Sequence, residues 1–189
     1  FVSSSYNYRD VINQSKYPYY ASKKGNTLII PFTAEETLLV RAEAEILTKK
    51  YDAALVDLNA WTSAYLNTNK KTFTKDEVVD FYKKIAYSTA TAPTLKKELH
   101  PSFKLDGGEE QEMLLHHLLQ CRRVATVHEG LRWFDIRRYG IEVLRFVHDT
   151  KDRAKYTVEK TLPSGDEHTT FQIPQNVINT GLTPNPRTH

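Results

Sequence analysis

The pattern of apolar positions predicts helices over much of residues 33 to 140. Thr33-Ala34-Glu35-Glu36 is a capping-box sequence that predicts the start of a first helix, and a second helix is predicted after Lys49-Lys50. Thr74-Lys75-Asp76-Glu77 repeats the capping box and predicts a third. The apolar residues at helical spacing are Leu38, Leu39, Ala42, Ile46 and Leu47, then Ala54, Leu58, Trp61 and Tyr65, then Val78, Phe81, Tyr82 and Ile85. We therefore expect a helical hairpin and a third helix over residues 33–87.

A longer helical segment is predicted over residues 109–140. It begins at the acidic residues Glu109, Glu110 and Glu112, which suit the positive end of a helix dipole. One apolar stripe is formed by Leu114, Leu118, Cys121 and Ala125, and a second, rotated stripe by Val124, Val127, Leu131 and Phe134. Because Gly130 lies within this region, we expect a kink or a change of packing partner there.

The remaining segments read as loops and short strands. Residues 1–32 are rich in tyrosine and predict a loop with a short strand at Leu28–Ile30. Residues 67–73 and 88–108 predict loops. Residues 141–189 predict short strands at Val143–Val147, Tyr156–Glu159 and Phe171–Ile173 and a coil tail. The expected fold is mainly α, with long loops and a minor β element.

Composition narrows the class of protein. The 189 residues suit one domain, and the net charge of +3 without a basic tail gives no case for nucleic-acid binding. A single cysteine, Cys121, excludes an intrachain disulfide. The longest apolar run, Leu28–Phe32, is far shorter than the roughly 18 residues of a membrane-spanning helix.

Charged residues alternate in sign near the end of the long segment. Glu129, Arg132, Asp135 and Arg138 are spaced by three, so neighbouring side chains can meet on a helix. We expect this ladder to be a structural ion staple that holds the helix to its neighbours.

The helical hairpin resembles a tetratricopeptide repeat, because it has the small Ala42 and the Tyr51…Ala54 pair. One such unit cannot bury its own apolar face.

Three segments of the chain resemble a second family. The string Arg122-Arg123-Val124…Glu129-Gly130-Leu131-Arg132-Trp133-Phe134-Asp135-Ile136-Arg137-Arg138-Tyr139-Gly140 closely resembles the SusD/RagB signature E-R-R-x-E-L-x-x-E-G-x-R-W-x-D-L-R-R-x-G. Leu39-Val40-Arg41-Ala42-Glu43-Ala44 with Ala54…Asp57-Leu58-Asn59, and the ending from Ile173-Pro174-Gln175 to Pro184-Asn185-Pro186, resemble two further family segments in family order.

The sequence also departs from the family pattern. Cys121 and Ala125 stand where the family usually has glutamate, so we expect Arg122 and Arg123 to lack two acidic partners. Trp61 stands where an arginine is common. Family members are much longer, and the chain resembles their C-terminal portion.

The resemblance implies a non-catalytic protein of the Gram-negative outer-membrane surface. Such a protein binds a glycan, or in some branches a peptide, and partners a SusC-type TonB-dependent transporter. It has no cofactor, and its only membrane contact is a lipid anchor on an upstream cysteine. Aromatic rings stack on sugars, so the nominated carbohydrate-binding residues are those of the tyrosine-rich opening: Tyr6, Tyr8, Tyr17, Tyr19 and Tyr20.

The sequence gives less support to other classes of function. A glycoside hydrolase needs two carboxylates across a cleft, whereas the acids here fall mostly at helix starts or beside arginines. His117 and Cys121 share a chelating spacing but lack a third ligand, so we expect no metal site. A helical-repeat scaffold for protein partners remains the alternative that periodicity alone does not separate from glycan capture.

Overall fold

The computed structural model describes residues 33–65, 72–127, 129–152 and 155–187. Ala34–His189 form one compact unit. The predicted strand at 28–30 lies outside the described residues, as does most of the loop predicted at 67–73. The described elements are α1 (Ala34–Leu47), α2 (Tyr51–Tyr65), α3 (Lys75–Lys84), α4 (Gly108–Ala125), α5 (Arg132–Arg138), β1 (Val143–His148), β2 (Tyr156–Leu162), a 3-10 turn (Glu167–Thr169) and α6 (Gln175–Ile178). The mainly α prediction is confirmed.

The helical hairpin of α1 and α2 forms as predicted. The helices are joined by a tight turn in which Lys49 adopts the left-handed conformation, with φ of 61°. The small residues Ala42 and Ala54 are completely buried. α1 packs against both α2 and α4, and α4 also packs against α3, so other helices of the chain cover the hairpin. The apolar core lies among these four helices.

The third helix begins at the predicted capping box. The Thr74 hydroxyl accepts from the Glu77 backbone N–H at 3.3 Å, and the Glu77 carboxylate accepts from the Thr74 backbone N–H at 3.0 Å. These bonds satisfy two backbone donors that would otherwise lack helical partners.

Helix α4 carries most of the core. Its predicted apolar stripe is buried throughout, at Leu114, Leu118, Cys121 and Ala125. At its first turn the buried amide of Gln111 accepts from the Gly107 backbone N–H and donates to the Ile46 carbonyl, both at 3.0 Å. Gln111 thus connects the start of α4 to the end of α1 by a hydrogen bond.

The long segment predicted at 109–140 is two helices rather than one. α4 ends at Ala125, and α5 begins at Arg132 after a turn in which Gly130 has φ of +77°. The second stripe is largely solvent-accessible, because Val127 is 40% and Phe134 64% exposed. The turn at Gly130 divides the second stripe, since Val124 lies in α4 whereas Leu131 and Phe134 follow the turn and no longer continue the helical path of α4.

The β element is a two-stranded antiparallel hairpin. β1 pairs with β2 from Val143–Leu162 to His148–Tyr156, with a register shift between Arg145 and Phe146. The strand predicted at Phe171–Ile173 does not form, and that prediction is wrong. Phe171 is 87% exposed, and none of the strands that the structure describes pairs with residues 171–173.

Candidate functional site

The family-like signature contributes two helices to one buried ionic cluster. Arg122 comes from the last turn of α4, whereas Asp135 and Arg138 lie on α5, with Tyr139 directly after it. All of them approach α1, which contributes Glu43. We call Glu43, Arg122, Asp135, Arg138 and Tyr139 the Glu43 cluster.

Glu43 accepts three charge-assisted or short hydrogen bonds although it is only 6% exposed. Arg122 donates to Oε2 at 2.6 Å, while Arg138 at 2.7 Å and the Tyr139 hydroxyl at 2.6 Å donate to Oε1. Burial and the neighbouring Glu43 carboxylate raise the pKa of Tyr139, which keeps its hydroxyl protonated as a donor. Three donors, from α4, from α5 and from the residue that follows α5, therefore satisfy one buried carboxylate on α1.

Asp135 is the second buried carboxylate of the cluster, at 2% exposed. Arg122 approaches it at 3.1 Å and Arg132 at 3.4 Å. Burial raises the pKa of Asp135, against the opposite effect of these two guanidinium groups. Burial also lowers the pKa of Arg132. Arg122 bridges the two carboxylates of the Glu43 cluster.

The predicted ladder is only partly a ladder within one helix. Arg132 and Asp135 meet at the predicted spacing, but Arg138 pairs with Glu43 rather than with Asp135. Glu129 lies in the turn before α5, and the ion pairs of the described residues include none between Glu129 and Arg132. The prediction of consecutive pairs is therefore corrected, since helical spacing holds only for the seven residues of α5.

Arg122 does not lack acidic partners, so that expectation is wrong for this residue. Glu43 and Asp135, contributed by α1 and α5, bind it where the family pattern has a glutamate at position 121 or 125. Among the described residues, no carboxylate pairs with Arg123, which is exposed.

A second ion pair joins α1 to α2. Arg41 binds Asp57 bidentately, with both N–O distances at 2.6 Å. Asp57 is 4% exposed, whereas the Arg41 side chain remains largely in solvent. The two charged residues of the Arg41-Ala42-Glu43-Ala44 segment thus bind α2 of the same helical hairpin and the two helices of the signature.

A small groove of about 230 Å³ opens beside the Glu43 cluster. Its floor includes Arg122 and Asp135, and its apolar wall consists of Leu39, Val40, Leu131 and Phe134. Val40 is 54% and Phe134 64% exposed. The groove therefore combines accessible apolar surface with an ion pair.

His116, His117 and Cys121 belong to the core. All three are at most 5% exposed, and the Tyr82 ring packs against both imidazoles. Burial lowers the pKa of each histidine to about 4 and raises that of Cys121 to about 12. Across the described ranges, no group of three His, Cys, Asp or Glu side chains is arranged to hold a metal ion.

The five nominated tyrosines lie outside the described residues, so their carbohydrate-binding role stays a prediction. The sequence patterns did not predict Glu43 as the centre of a cluster. A signal for it exists: Glu43 lies four residues after Leu39 and three before Ile46, so it is an acid on an apolar helix face. Its partners, 79 to 96 residues away, carry no such signal.

No helix in the described part of the chain is both long and apolar enough to cross a membrane. Comparisons of the chain with known protein families, curated proteins and solved structures gave no match.

Proposed function

We propose that this chain is part of a SusD/RagB-like protein that captures a glycan at the outer-membrane surface without cleaving it. The protein passes the glycan to a SusC-type TonB-dependent transporter and is held at the surface by a lipid anchor. The proposal starts from the three family-like segments of the sequence.

The observation that carries the proposal is the contact between two of these segments, the helical hairpin and the signature, in the fold. Arg41 binds Asp57 of the second helix, and Glu43 binds Arg122 and Arg138 of the signature. A chance likeness of short strings would not require their charged residues to pair with one another. The contacts give a physical reason for these residue types to occur together, which supports the resemblance.

The environment of the buried acids favours capture over hydrolysis. Glu43, Asp57 and Asp135 each lie against an arginine, and Glu43 and Asp57 accept short bonds from it. A glycosidase needs two carboxylates free to protonate and to attack across a bound sugar. Carboxylates engaged in holding helices together are poorly suited to either role.

Affinity electrophoresis of the full-length protein in gels containing different polysaccharides tests the proposal. We expect one class of polysaccharide to retard migration, while chromatography of the incubated polysaccharide shows no shorter products. Breakdown of the polysaccharide would overturn the non-catalytic part. Lack of retardation by every polysaccharide would overturn glycan capture.

Replacement of the five nominated tyrosines tests their role in the same gels. Alanine at positions 6, 8, 17, 19 and 20 removes the rings, whereas phenylalanine at the same positions keeps them for stacking on a sugar. We expect the alanine variant to lose retardation and the phenylalanine variant to keep most of it. Equal retardation of both variants and the parent would exclude these tyrosines as the stacking surface.

Partnership with a transporter has a separate test. The tagged protein, purified from detergent-solubilised outer membranes of its source, should carry a TonB-dependent transporter identified by mass spectrometry. Tag-only membranes are the control, and recovery of no transporter above that control would contradict this part.

The exposed apolar groove beside the Glu43 cluster favours one alternative, a peptide-binding member of the same family or a protein scaffold. Val40 and Phe134 offer side-chain contacts that a peptide can use. Retention of the protein on immobilised peptides, reduced by Phe134→Ala, together with no glycan retardation would favour this alternative.

A further inference from the structure

A larger cavity, of about 330 Å³, lies at the open end of the β hairpin. One wall comes from the loop after α3, and the other from the residues that flank β1 and β2. Its volume is within the range of small-molecule sites. Its polar lining consists of Ser88, Lys97, Glu98, His100, Glu142 and Ser164.

The two walls are fixed to each other at Gly140. The His100 backbone N–H donates to the Tyr139 carbonyl at 2.8 Å. Gly140 has φ of +57°, and a Cβ there would collide with the His100 carbonyl and lie 2.6 Å from the Ser164 hydroxyl oxygen. Glycine therefore lets both walls approach the end of α5 closely, which makes the cavity part of the framework.

The first wall presents hydrogen-bond donors. The Ser88 hydroxyl oxygen accepts from the Thr94 backbone N–H at 3.2 Å and from the Lys97 ammonium. Because both lone pairs are used, the hydroxyl proton of Ser88 points elsewhere, and no group of the described residues accepts it. Lys97 has further N–H donors and no carboxylate partner among the described residues.

The second wall presents an acceptor. The exposed carboxylate of Glu142 has no ion pair or hydrogen bond within the described ranges. Glu98, by contrast, lies 3.3 Å from the His100 imidazole. A bound anion would be repelled by the Glu142 carboxylate, and a bound cation would be repelled by the Lys97 ammonium. A neutral ligand whose hydroxyls both donate and accept suits the two walls together.

We propose that this cavity binds one sugar ring through neighbouring hydroxyls, with Ser88 and Lys97 donating to hydroxyl oxygens of the sugar and Glu142 accepting from a sugar hydroxyl. The inference rests on the proposed function and assigns it a site formed by residues other than the nominated tyrosines. It is a hydroxyl-recognition site, since only Leu144 and Pro163 of its lining are apolar.

Titration of the ¹⁵N-labelled full-length protein with methyl glycosides, followed by amide chemical shifts, tests the site. The probes are the methyl glycosides of glucose, galactose, mannose, xylose and N-acetylglucosamine, with sodium sulfate as an anion probe. We expect one glycoside to shift the amides of Ser88, Lys97 and Glu142 with a millimolar Kd, and sulfate to leave them unchanged. No shift from any glycoside, or saturable shifts from sulfate, would overturn the proposal.

Glu142→Gln is the main variant, because its exposed carboxylate makes no ion pair or hydrogen bond with the described residues that the substitution would remove. We expect it to weaken glycoside binding at least fivefold, with Ser88→Ala giving a similar loss. Glu159→Gln is the matched control, since Glu159 is paired with Arg145 on the hairpin and does not line the cavity. Unchanged affinity in Glu142→Gln would overturn the assignment of Glu142 and with it the proposed binding mode.

The polysaccharide gels separate failure of the site from failure of the function. If Glu142→Gln is retarded like the parent and glycosides shift no cavity amide, glycan capture stands and the cavity is not its site. If no polysaccharide retards the parent, glycan capture fails, and with it the cavity as a subsite of capture.

Discussion

Glu43→Ala removes the acceptor on which the two signature helices converge, and we expect a large loss of stability. The Tyr139 hydroxyl is completely buried and would lose its acceptor, at a cost of about 1–3 kcal/mol. Arg122 would keep only Asp135 as a carboxylate partner. Arg138 is half exposed, so its pair adds at most about 1 kcal/mol. Removing one partner of a buried ion pair costs about 3–5 kcal/mol in all, a range that includes these separate losses, and this is the expected loss.

Urea unfolding followed by circular dichroism measures this loss. With a slope of about 2 kcal/mol per molar urea, the midpoint should fall by roughly 1.5–2.5 M. The melting temperature should fall by roughly 6–20 °C. Glu159→Ala is the control, since this exposed acid pairs with Arg145 on the hairpin and its loss should change stability by less than about 1 kcal/mol.

A double-mutant cycle identifies the source of the effect. If the loss of Glu43 leaves Arg122 without one of its partners, the double variant Glu43→Ala/Arg122→Ala should lose less free energy of unfolding than the sum of the two single variants. Additive losses would contradict pairing between Glu43 and Arg122. A Glu43→Ala variant as stable as Glu159→Ala would refute the buried cluster itself.

Two further predictions concern the core and the turn after α5. Burial lowers the pKa of His117 to about 4, so the unfolded chain takes up its proton first and stability falls as the pH drops below about 6.5. Between pH 7.5 and 5.0, protonation of this histidine in the unfolded chain should lower the free energy of unfolding by about 2 kcal/mol. In the His117→Leu variant, urea midpoints should no longer show this part of the pH dependence. An unchanged pH dependence in that variant would contradict the burial of His117 in its neutral form. Gly140→Ala should destabilise by about 2–4 kcal/mol, since its Cβ collides with the His100 carbonyl, whereas Gly130→Ala, with open space, should cost about 1 kcal/mol. Equal thermal shifts for the two alanine variants would show that the walls at Gly140 can separate freely.

The helices were predictable where the signals are local. The capping box at Thr74 places the start of α3 correctly, because its hydrogen bonds join residues three apart. The glycine at position 130 predicts a disturbance, but not that the helix ends five residues earlier, at Ala125. Phe171 and Ile173 predict a strand for which the described part of the chain provides no partner strand, and periodicity carries no information about neighbours.

The candidate sites were less predictable, for a related reason. The charges at Arg132 and Asp135 indicate a pair because they are one helical turn apart. Pairing of Arg138 with Glu43 depends on how α1 approaches α5, which spacing along the chain does not specify. The cavity at Ser88 and Glu142 likewise joins segments more than fifty residues apart, which the sequence gives no reason to associate.

The position of Glu43 in the chain also has a consequence for the order of folding. Its bonds to Arg122 and Arg138 span 79 and 95 residues, whereas the Arg41–Asp57 pair spans 16. Closing a loop of 79 residues costs about 1.4 kcal/mol more chain entropy than closing one of 16. We therefore predict that the Arg41–Asp57 pair forms early and that the Glu43 cluster forms late, after the folding transition state. Substitution of Glu43 should then accelerate unfolding and leave the refolding rate nearly unchanged. The main effect of the cluster would thus be to slow unfolding and so to lengthen the lifetime of the folded state.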